Sequence, residues 1–392
     1  DGPVLVLRWV PRFFTDLFKG QKGQYFTPRP LVELMADLAE VGPRDRVLDP
    51  TCGSGGFLLA ALDRGADIDG FDVDSDLVSL ARLNLALHGA NPRAVRQGNF
   101  FLEEGGSWSV ILANPPFSVS IRDPKILTRF SLGRKREQIN SDRLFLEAAW
   151  KCLSPNGRLC TVLPYSVLVN ASTEEDRNWL DERFVRRAVI GLPEGMFRPF
   201  GGTSTRACVL LLQKRPARVD KQLVAEVRSP GFDPRRKDYR RCEPDELAAL
   251  RLFLRGVAWE GAEWVEPGGP WAPTRHLEQS SLGAGVPVVR FGSLAEMALE
   301  RVDPSATPEE SFCEVDLADL DKNTGEVSRA RKRRGSDFKE GQGKVLFSEG
   351  DLLFGRMRPG LNNVGMASRP VPGWKVLSCC HLSWACPEDL GM

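Results

Sequence analysis

Asp49-Pro50-Thr51-Cys52-Gly53-Ser54-Gly55-Gly56 lies between two short apolar runs, Arg46-Val47-Leu48 before it and Phe57 to Leu62 after it. The first run reads as a strand and the second as a helix packed close to the loop. A glycine-rich turn at that junction offers bare backbone and free N–H groups at a helix N-terminus, so a ligand can approach closely. The next strand-like run, Ile68 to Phe71, ends on Asp72, about 20 residues further on, where an acid can bond both hydroxyls of a ribose. The loop with Asp49, Gly53, Ser54, Gly55 and Gly56 is therefore read as the seat of a nucleoside cofactor, with Asp72 as its ribose anchor. Glycine plus acid suits a dehydrogenase equally well, and a tight turn with no ligand has the same composition. Cys52 has no base beside it and reads as a small packed residue.

The choice among cofactors rests on a second motif about 60 residues past the loop. Val110-Ile111-Leu112-Ala113 is a fully apolar strand that delivers Asn114-Pro115-Pro116-Phe117. An exocyclic amino nitrogen on a planar ring is a poor nucleophile, because its lone pair is delocalised into the ring. Two acceptors aimed at its protons free that lone pair. The Asn114 side-chain oxygen and the Pro115 carbonyl can be those acceptors. Pro115 and Pro116 stiffen the turn and remove competing N–H groups, and Phe117 offers a face on which a flipped base can stack. The pair of motifs points to methyl transfer from S-adenosylmethionine to a planar nitrogen, with N6 of adenine in DNA as the expected acceptor.

Outward from these motifs, strands and helices alternate. A helix is expected after Thr27, capped by Thr27 with Pro28 in its first turn and Leu31, Leu34, Met35 and Leu38 on one face. Ser75 is expected to cap a helix carrying Leu77, Leu80, Ala81, Asn84 and Leu87. Further on come a helix over 142–153, a strand over 158–163, a helix over 174–184 and strands over 188–192 and 207–213. This alternation predicts an α/β fold with a doubly wound, Rossmann-like parallel sheet. Residues 217–283 are charged and rich in proline and read as a connecting region with one helix near 246–253. From Val286 onward the pattern is short and strand-like, with a basic run from Arg329 to Arg334 that reads as a solvated loop.

The bulk numbers set bounds. The 392 residues are enough for two or three domains, and 42% hydrophobic content is ordinary for a globular chain. The net charge is +1, so a nucleic-acid surface must come from local clustering. Nine cysteines show no CxxC pair and there are three histidines, so no metal site is expected and reduced cytosolic thiols are the default. No apolar run is long enough to span a bilayer, and a cytoplasmic location is expected. The chain begins with Asp1 rather than Met, which reads as a fragment or a trimmed start.

On these motifs residues 20–216 resemble the methylation subunit of type I restriction-modification systems, a gamma-class N6-adenine DNA methyltransferase. The resemblance runs through Gly23-Gln24-Tyr25-Phe26-Thr27-Pro28-Arg29, the Asp49 loop to Phe57, Gly70-Phe71-Asp72, Leu83 to Gly89, Asn114 to Phe117, and Val189 to Phe197. It implies cofactor contacts from Gln24, Tyr25, Phe26, Thr27, Pro28 and Arg29. It also implies a contact with the cofactor adenine from Asn99, where the family has Asp after Gly98. Double-stranded DNA is the implied substrate, with a specificity subunit and a restriction endonuclease subunit as partners. Residues 347–364 are similar to part of the specificity subunit of the same systems. Residues 284–392 are thus expected to be a partial target-recognition domain, α/β or mostly β, following the N-terminal segment 1–19, the methyltransferase domain 20–216 and the connector 217–283. Arg356 and Arg358 follow the Gly350-Asp351 turn and are its candidate DNA contacts, with a weaker phosphate-contact reading for Arg235-Arg236-Lys237 and Arg240-Arg241. Two alternatives stay open: a methyltransferase for another planar nitrogen, such as a glutamine amide or an RNA base, and a non-catalytic DNA-binding scaffold with a decayed site.

Overall fold

The computed structural model describes residues 26–103, 105–134, 136–200, 204–234 and 240–274, residue 277, and separate stretches between 296 and 385. They fall into two compact units, residues 1–283 and 284–392.

The first unit is built on one sheet of nine strands. They are β1 (Arg46–Asp49), β2 (Asp67–Asp72), β3 (Val95–Gln97), β4 (Trp108–Ala113), β5 (Leu153–Pro164), β6 (Phe184–Gly191), β7 (Ala207–Lys214), β8 (Gln222–Glu226) and β9 (Ala262–Val265). Their order across the sheet is β9-β8-β6-β7-β5-β4-β1-β2-β3. β1 to β5 run parallel, whereas β7 is antiparallel to both of its neighbours and β9 is antiparallel to β8. The sheet is therefore mostly parallel rather than wholly so. β7 returns from β6 as a hairpin partner, which needs no crossover helix.

Helices cover both faces: α1 (Arg29–Leu38), α2 (Gly56–Leu62), α3 (Ser75–Leu87), α4 (Ser141–Cys152), α5 (Glu174–Arg183) and α6 (Glu246–Phe253). The strand period of two decides which side chain meets which helix. Val110 and Leu112 of β4 join the core with Leu31, Leu34 and Met35 of α1, while Ile111 and Ala113 join the opposite core with Leu144, Phe145 and Ala148 of α4. A run buried on both faces is what a central parallel strand requires.

Three local expectations change. Thr27 does not cap α1; Pro28 occupies that position, and its carbonyl accepts the N–H groups of Leu31 and Val32. Asp74, not Ser75, caps α3 by accepting from Asp76 and Leu77, and Leu87 on that helix is exposed. The stretch 217–283 is no connector: β8 pairs in parallel with β6, β9 closes that edge, and Leu247 and Leu250 of α6 enter the core with α1. Proline and charge in the flanking loops hid these two short strands, of which only β9 lies at the edge of the sheet.

In the second unit the described residues form two sheets. One has four strands in the order 296–298, 381–385, 352–355 and 364–366; the other has five, in the order 301–302, 344–347, 375–378, 311–315 and 331–334. Arg331–Arg334 is thus an edge strand paired with Ser311–Val315, not a solvated loop. Arg331 meets Asp319, Arg333 meets Glu314, and Arg334 meets Glu309, so three arginines of the run have carboxylate partners.

Candidate active site

β1, β2 and β4 are adjacent and parallel, so the residues that follow them converge on the carboxyl edge of the sheet. Ligands bind at that edge in doubly wound folds. After β1, the loop turns at Gly53 and Gly55, whose φ values of +51° and +87° suit glycine, and Gly55 caps α2. Its backbone is anchored on all sides. Thr51 N donates to Asp49 Oδ1 (3.2 Å), Cys52 N to the Phe71 carbonyl (2.8 Å) and Gly55 N to the Cys52 carbonyl (2.7 Å). Asn84 of α3 donates to the Ser54 carbonyl (2.8 Å). Asp72 faces the loop from β2 and accepts from Gly53 N (2.9 Å) and Asp74 N (3.0 Å).

Two carboxyls therefore sit side by side at the loop. Asp49 is 1% exposed. Its burial, with the Asp72 charge beside it, holds its carboxyl well above the ordinary range. Burial also raises Asp72, against the backbone N–H groups of Asp74, Gly53 and Val73 that favour its charged form. The Cys52 thiol is pushed up by burial and is a packing group, as expected from its neighbours. Thr51 Oγ1 is buried with no hydrogen-bond partner among the described residues. A cationic, hydroxyl-bearing ligand fits this donor set: two acids, an open hydroxyl, and clear space beside Gly53.

β4 delivers Asn114 to the same edge. Its Nδ2 donates to Thr27 Oγ1 (3.1 Å), and its Oδ1 is buried with no partner among the described residues. Buried acceptors are rarely left so, and each one calls for an explanation. The turn is braced from the N-terminus of α4. Ser141 Oγ donates to the Pro116 carbonyl (2.9 Å), and Ser141 N donates to the Val119 carbonyl (2.8 Å). The buried Asp142 carboxyl receives the Ser118 N–H, and burial raises its pKa. Phe117 is half-buried and meets Phe197 edge-on at 6.2 Å between ring centroids.

Of the expected site residues, Asp49, Gly53, Ser54, Gly55, Gly56, Asp72, Thr27 and Asn114 to Phe117 come together at this edge. Phe26 and Pro28 flank Thr27, and Asn99 follows β3, where its Oδ1 is already used by Phe101 N (3.0 Å). Arg29 leaves the set: its guanidinium pairs with Glu33 (2.6 Å) and with Asp63 (3.1 Å), and Asp63 lies past the far end of α2 from the loop. Gln24, Tyr25, Arg356 and Arg358 lie outside the described residues, as does the Arg235-Arg236-Lys237 stretch. Sequence reasoning gave no role to Thr51, Asn84, Ser141, Asp142 or Phe197. Asn84 was findable as an amide on an otherwise apolar helix face. Ser141 and Phe197 act across the fold and leave no local signal.

The sheet order, with one antiparallel strand between β5 and β6, and two motif loops on its carboxyl edge define a methyltransferase-type α/β fold. Residues 8–248 match the N-6 DNA methylase family, and the chain belongs to it. It is 28% identical over 207 residues to the type I restriction enzyme EcoEI methylase subunit of Escherichia coli, covering 47% of this chain and 42% of that protein. It is 26% identical over 213 residues to the type II restriction enzyme and methyltransferase RM.BcgI of Heyndrickxia coagulans, covering 49% and 31%. The match thus spans less than half the length of these relatives. The fold is that of a modification subunit of a putative type I restriction enzyme from Vibrio vulnificus, with a TM-score of 0.54 at 23% identity over 66% of this chain and 60% of that one.

Proposed function

We propose that this chain transfers a methyl group from S-adenosylmethionine to N6 of an adenine flipped out of double-stranded DNA, as part of a restriction-modification system. The observation that carries this reading is the buried, unpartnered Oδ1 of Asn114, held in a double-proline turn beside the glycine loop. The cofactor supplies an electrophilic methyl on a sulfonium, so no strong general base is needed at the target nitrogen.

The chain's own residues then divide the work. Gly53 to Gly56 would hold the cofactor against the helix start, Asp72 would accept from the ribose hydroxyls, and Asp49 would face the ammonium of the methionine part, whose charge favours the carboxylate form. Phe26, Thr27 and Pro28 wall the site, and Asn99 meets the cofactor adenine through its remaining capacity. Asn114 Oδ1 and the Pro115 carbonyl accept the two amino protons of the target, where positive charge develops on nitrogen. Thr27 fixes the Asn114 amide. Pro116 is held by Ser141, and Phe117 stacks on the base while Phe197 supports its edge. Residues 284–392 serve as a target-recognition domain in which Arg356 and Arg358 contact DNA. A specificity subunit and a restriction endonuclease subunit complete the assembly in the cytoplasm.

The test is methylation of mixed DNA by the protein, followed by base-resolved mapping. N6-methyladenine confined to one sequence context supports the reading. Transfer to RNA or to a glutamine amide places the acceptor in the rival class. Absence of S-adenosylmethionine binding by titration calorimetry identifies a scaffold with a decayed site.

A further inference from the structure

Between the turn at Phe117 and the start of α4, the chain makes an excursion over residues 118–138 with six basic residues and two acidic ones. A run of like charge is most often a solvated face. Here it is built onto a fixed base. Ile126, Leu127, Phe130, Leu132 and Ile139 are buried in the core on the α4 side of the sheet. Glu147 of α4 accepts from Ser131 N (2.7 Å), Ser131 Oγ (2.9 Å) and Leu132 N (2.8 Å). The excursion closes on itself where Ser120–Ile121 pairs with Ile139–Asn140, directly before the Ser141 that braces the turn.

Three outward cations have no carboxylate partner among the described residues. Arg122 is exposed, and its guanidinium donates to Gln138 Oε1 (3.0 Å). Lys125 and Arg134 are exposed, and neither makes an ion pair among the described residues. Asp123 spends its carboxylate on the Lys125 N–H that opens the short helix Pro124–Leu127. Arg136, by contrast, is paired with Glu175 (2.8 Å). Arg331, Arg333 and Arg334 of the second unit are paired as well. Among the described residues, three arginines of the basic strand Arg331–Arg334 are thus paired, while three cations of this excursion are not.

The position of Arg122 follows from the chain itself, and Lys125 and Arg134 belong to the same excursion. Arg122 is five residues past Phe117, so at about 3.4 Å per extended residue the two Cα atoms lie within roughly 17 Å. That is about five base-pair steps along a duplex at about 3.4 Å per step. We infer that Arg122, Lys125 and Arg134 form a phosphate clamp on the DNA backbone flanking the flipped base; this rests on the DNA-methylating reading above. The clamp holds the strand while Asn114 and Phe117 hold the base, and it carries affinity rather than sequence selection.

The test is the salt dependence of binding to a fluorescein-labelled duplex by anisotropy, for the intact chain, for a triple Arg122→Ala/Lys125→Ala/Arg134→Ala variant, and for an Arg44→Ala/Arg93→Ala control. Arg44 and Arg93 are exposed at the opposite edge of the sheet, just before β1 and β3. Each phosphate left without its protein cation lowers the slope of log K against log salt by about 0.9, so the triple variant should lose about 2 to 3 from the slope and the control none. S-adenosylmethionine affinity and melting temperature should be unchanged in the triple variant, which excludes misfolding. An unchanged slope in a protein that still methylates DNA overturns the clamp alone. A slope lowered equally in the control shows bulk charge and also overturns it. No binding or methylation of DNA by the intact chain overturns the clamp together with the reading beneath it.

Discussion

The two edges of the central sheet treat their polar groups in opposite ways. At the amino edge every named group is matched. Arg46 pairs with Asp69 (2.8 Å) and lies over the Trp108 ring, Trp108 Nε1 donates to the same Asp69 (2.8 Å), and Asp45 accepts from both Ser109 and Arg158. At the carboxyl edge, Thr51 Oγ1 and Asn114 Oδ1 are buried without partners among the described residues, and Asp49 is desolvated beside a second acid. One edge spends its polar groups on holding the fold, and the other leaves buried groups unmatched, as the proposed ligand site requires. Local rules are followed where they stabilise and broken where chemistry is done.

Substitutions should therefore separate by edge. The largest effect is expected from Asn114→Ala. It removes one acceptor from the target nitrogen and leaves the glycine loop intact. Single-turnover methyl transfer should fall by about 10²–10³, while cofactor affinity by calorimetry stays within about twofold. A variant with near-normal transfer would break the comparison at its centre.

Asp72→Ala comes next. S-adenosylmethionine and S-adenosylhomocysteine share the ribose, so both should weaken by roughly ten- to a hundredfold, the usual range for a hydrogen bond to a charged group. Asp72→Asn should lose less, because it can still accept the Gly53 N–H that shapes the loop. Equal binding of both ligands by the Ala variant would remove Asp72 from the site.

Asp49→Asn should move affinity and stability in opposite directions. A carboxyl whose pKa is raised in the folded state contributes stability that is fully present below its unfolded value of about 3.9 and lost as pH rises through the folded value. Burying the Asp49 carboxyl, whose pKa is raised by desolvation, therefore weighs on the unliganded fold at neutral pH. The Asn variant should melt higher at pH 7, with the gap closing toward pH 4. Its cofactor affinity should drop about tenfold, as for the loss of one charged hydrogen bond. In the intact chain, cofactor affinity should begin to fall at a higher pH than an ordinary aspartate allows. A variant that melts lower at pH 7 contradicts the account of this group.

The smallest functional effect is expected at the amino edge. Arg158 and Asp45 are both mostly buried, so Arg158→Ala leaves a charge poorly compensated and should lower stability by about 1–3 kcal/mol. Methyl transfer per folded molecule, measured well below the melting point, should be unchanged. Impaired transfer at full stability would erase the distinction between the edges.

Much of the carboxyl edge was legible in the sequence. The Asp49 loop, Asp72 and the Asn114 turn follow apolar strands and carry their chemistry in consecutive residues. The groups that hold them were not legible, because Ser141 and Phe197 act through partners far along the chain. Thr27 reads as a helix cap and instead orients Asn114, a choice between two hydrogen bonds that only the packed sheet decides. The strands β8 and β9 were missed for a different reason: they are five and four residues long, and the proline- and charge-rich loops around them read as a linker. Arg331–Arg334 shows the converse, a basic run whose carboxylate partners come from outside it.

The central claim is that Asn114 Oδ1 is reserved for the amino group of the target adenine. Once the modified adenine has been mapped, it can be replaced by purine, which lacks the amino group. Duplexes with either base are then titrated into the intact chain and into Asn114→Ala, with S-adenosylhomocysteine bound to prevent transfer. Purine flips more easily from its weaker pair, but that contribution enters both arms of the cycle and cancels. The account predicts that removing the amino group weakens binding to the intact chain relative to the Asn114→Ala variant, with a coupling of about 1 kcal/mol or more. Additive losses, with no coupling between Asn114 and the amino group, would contradict it.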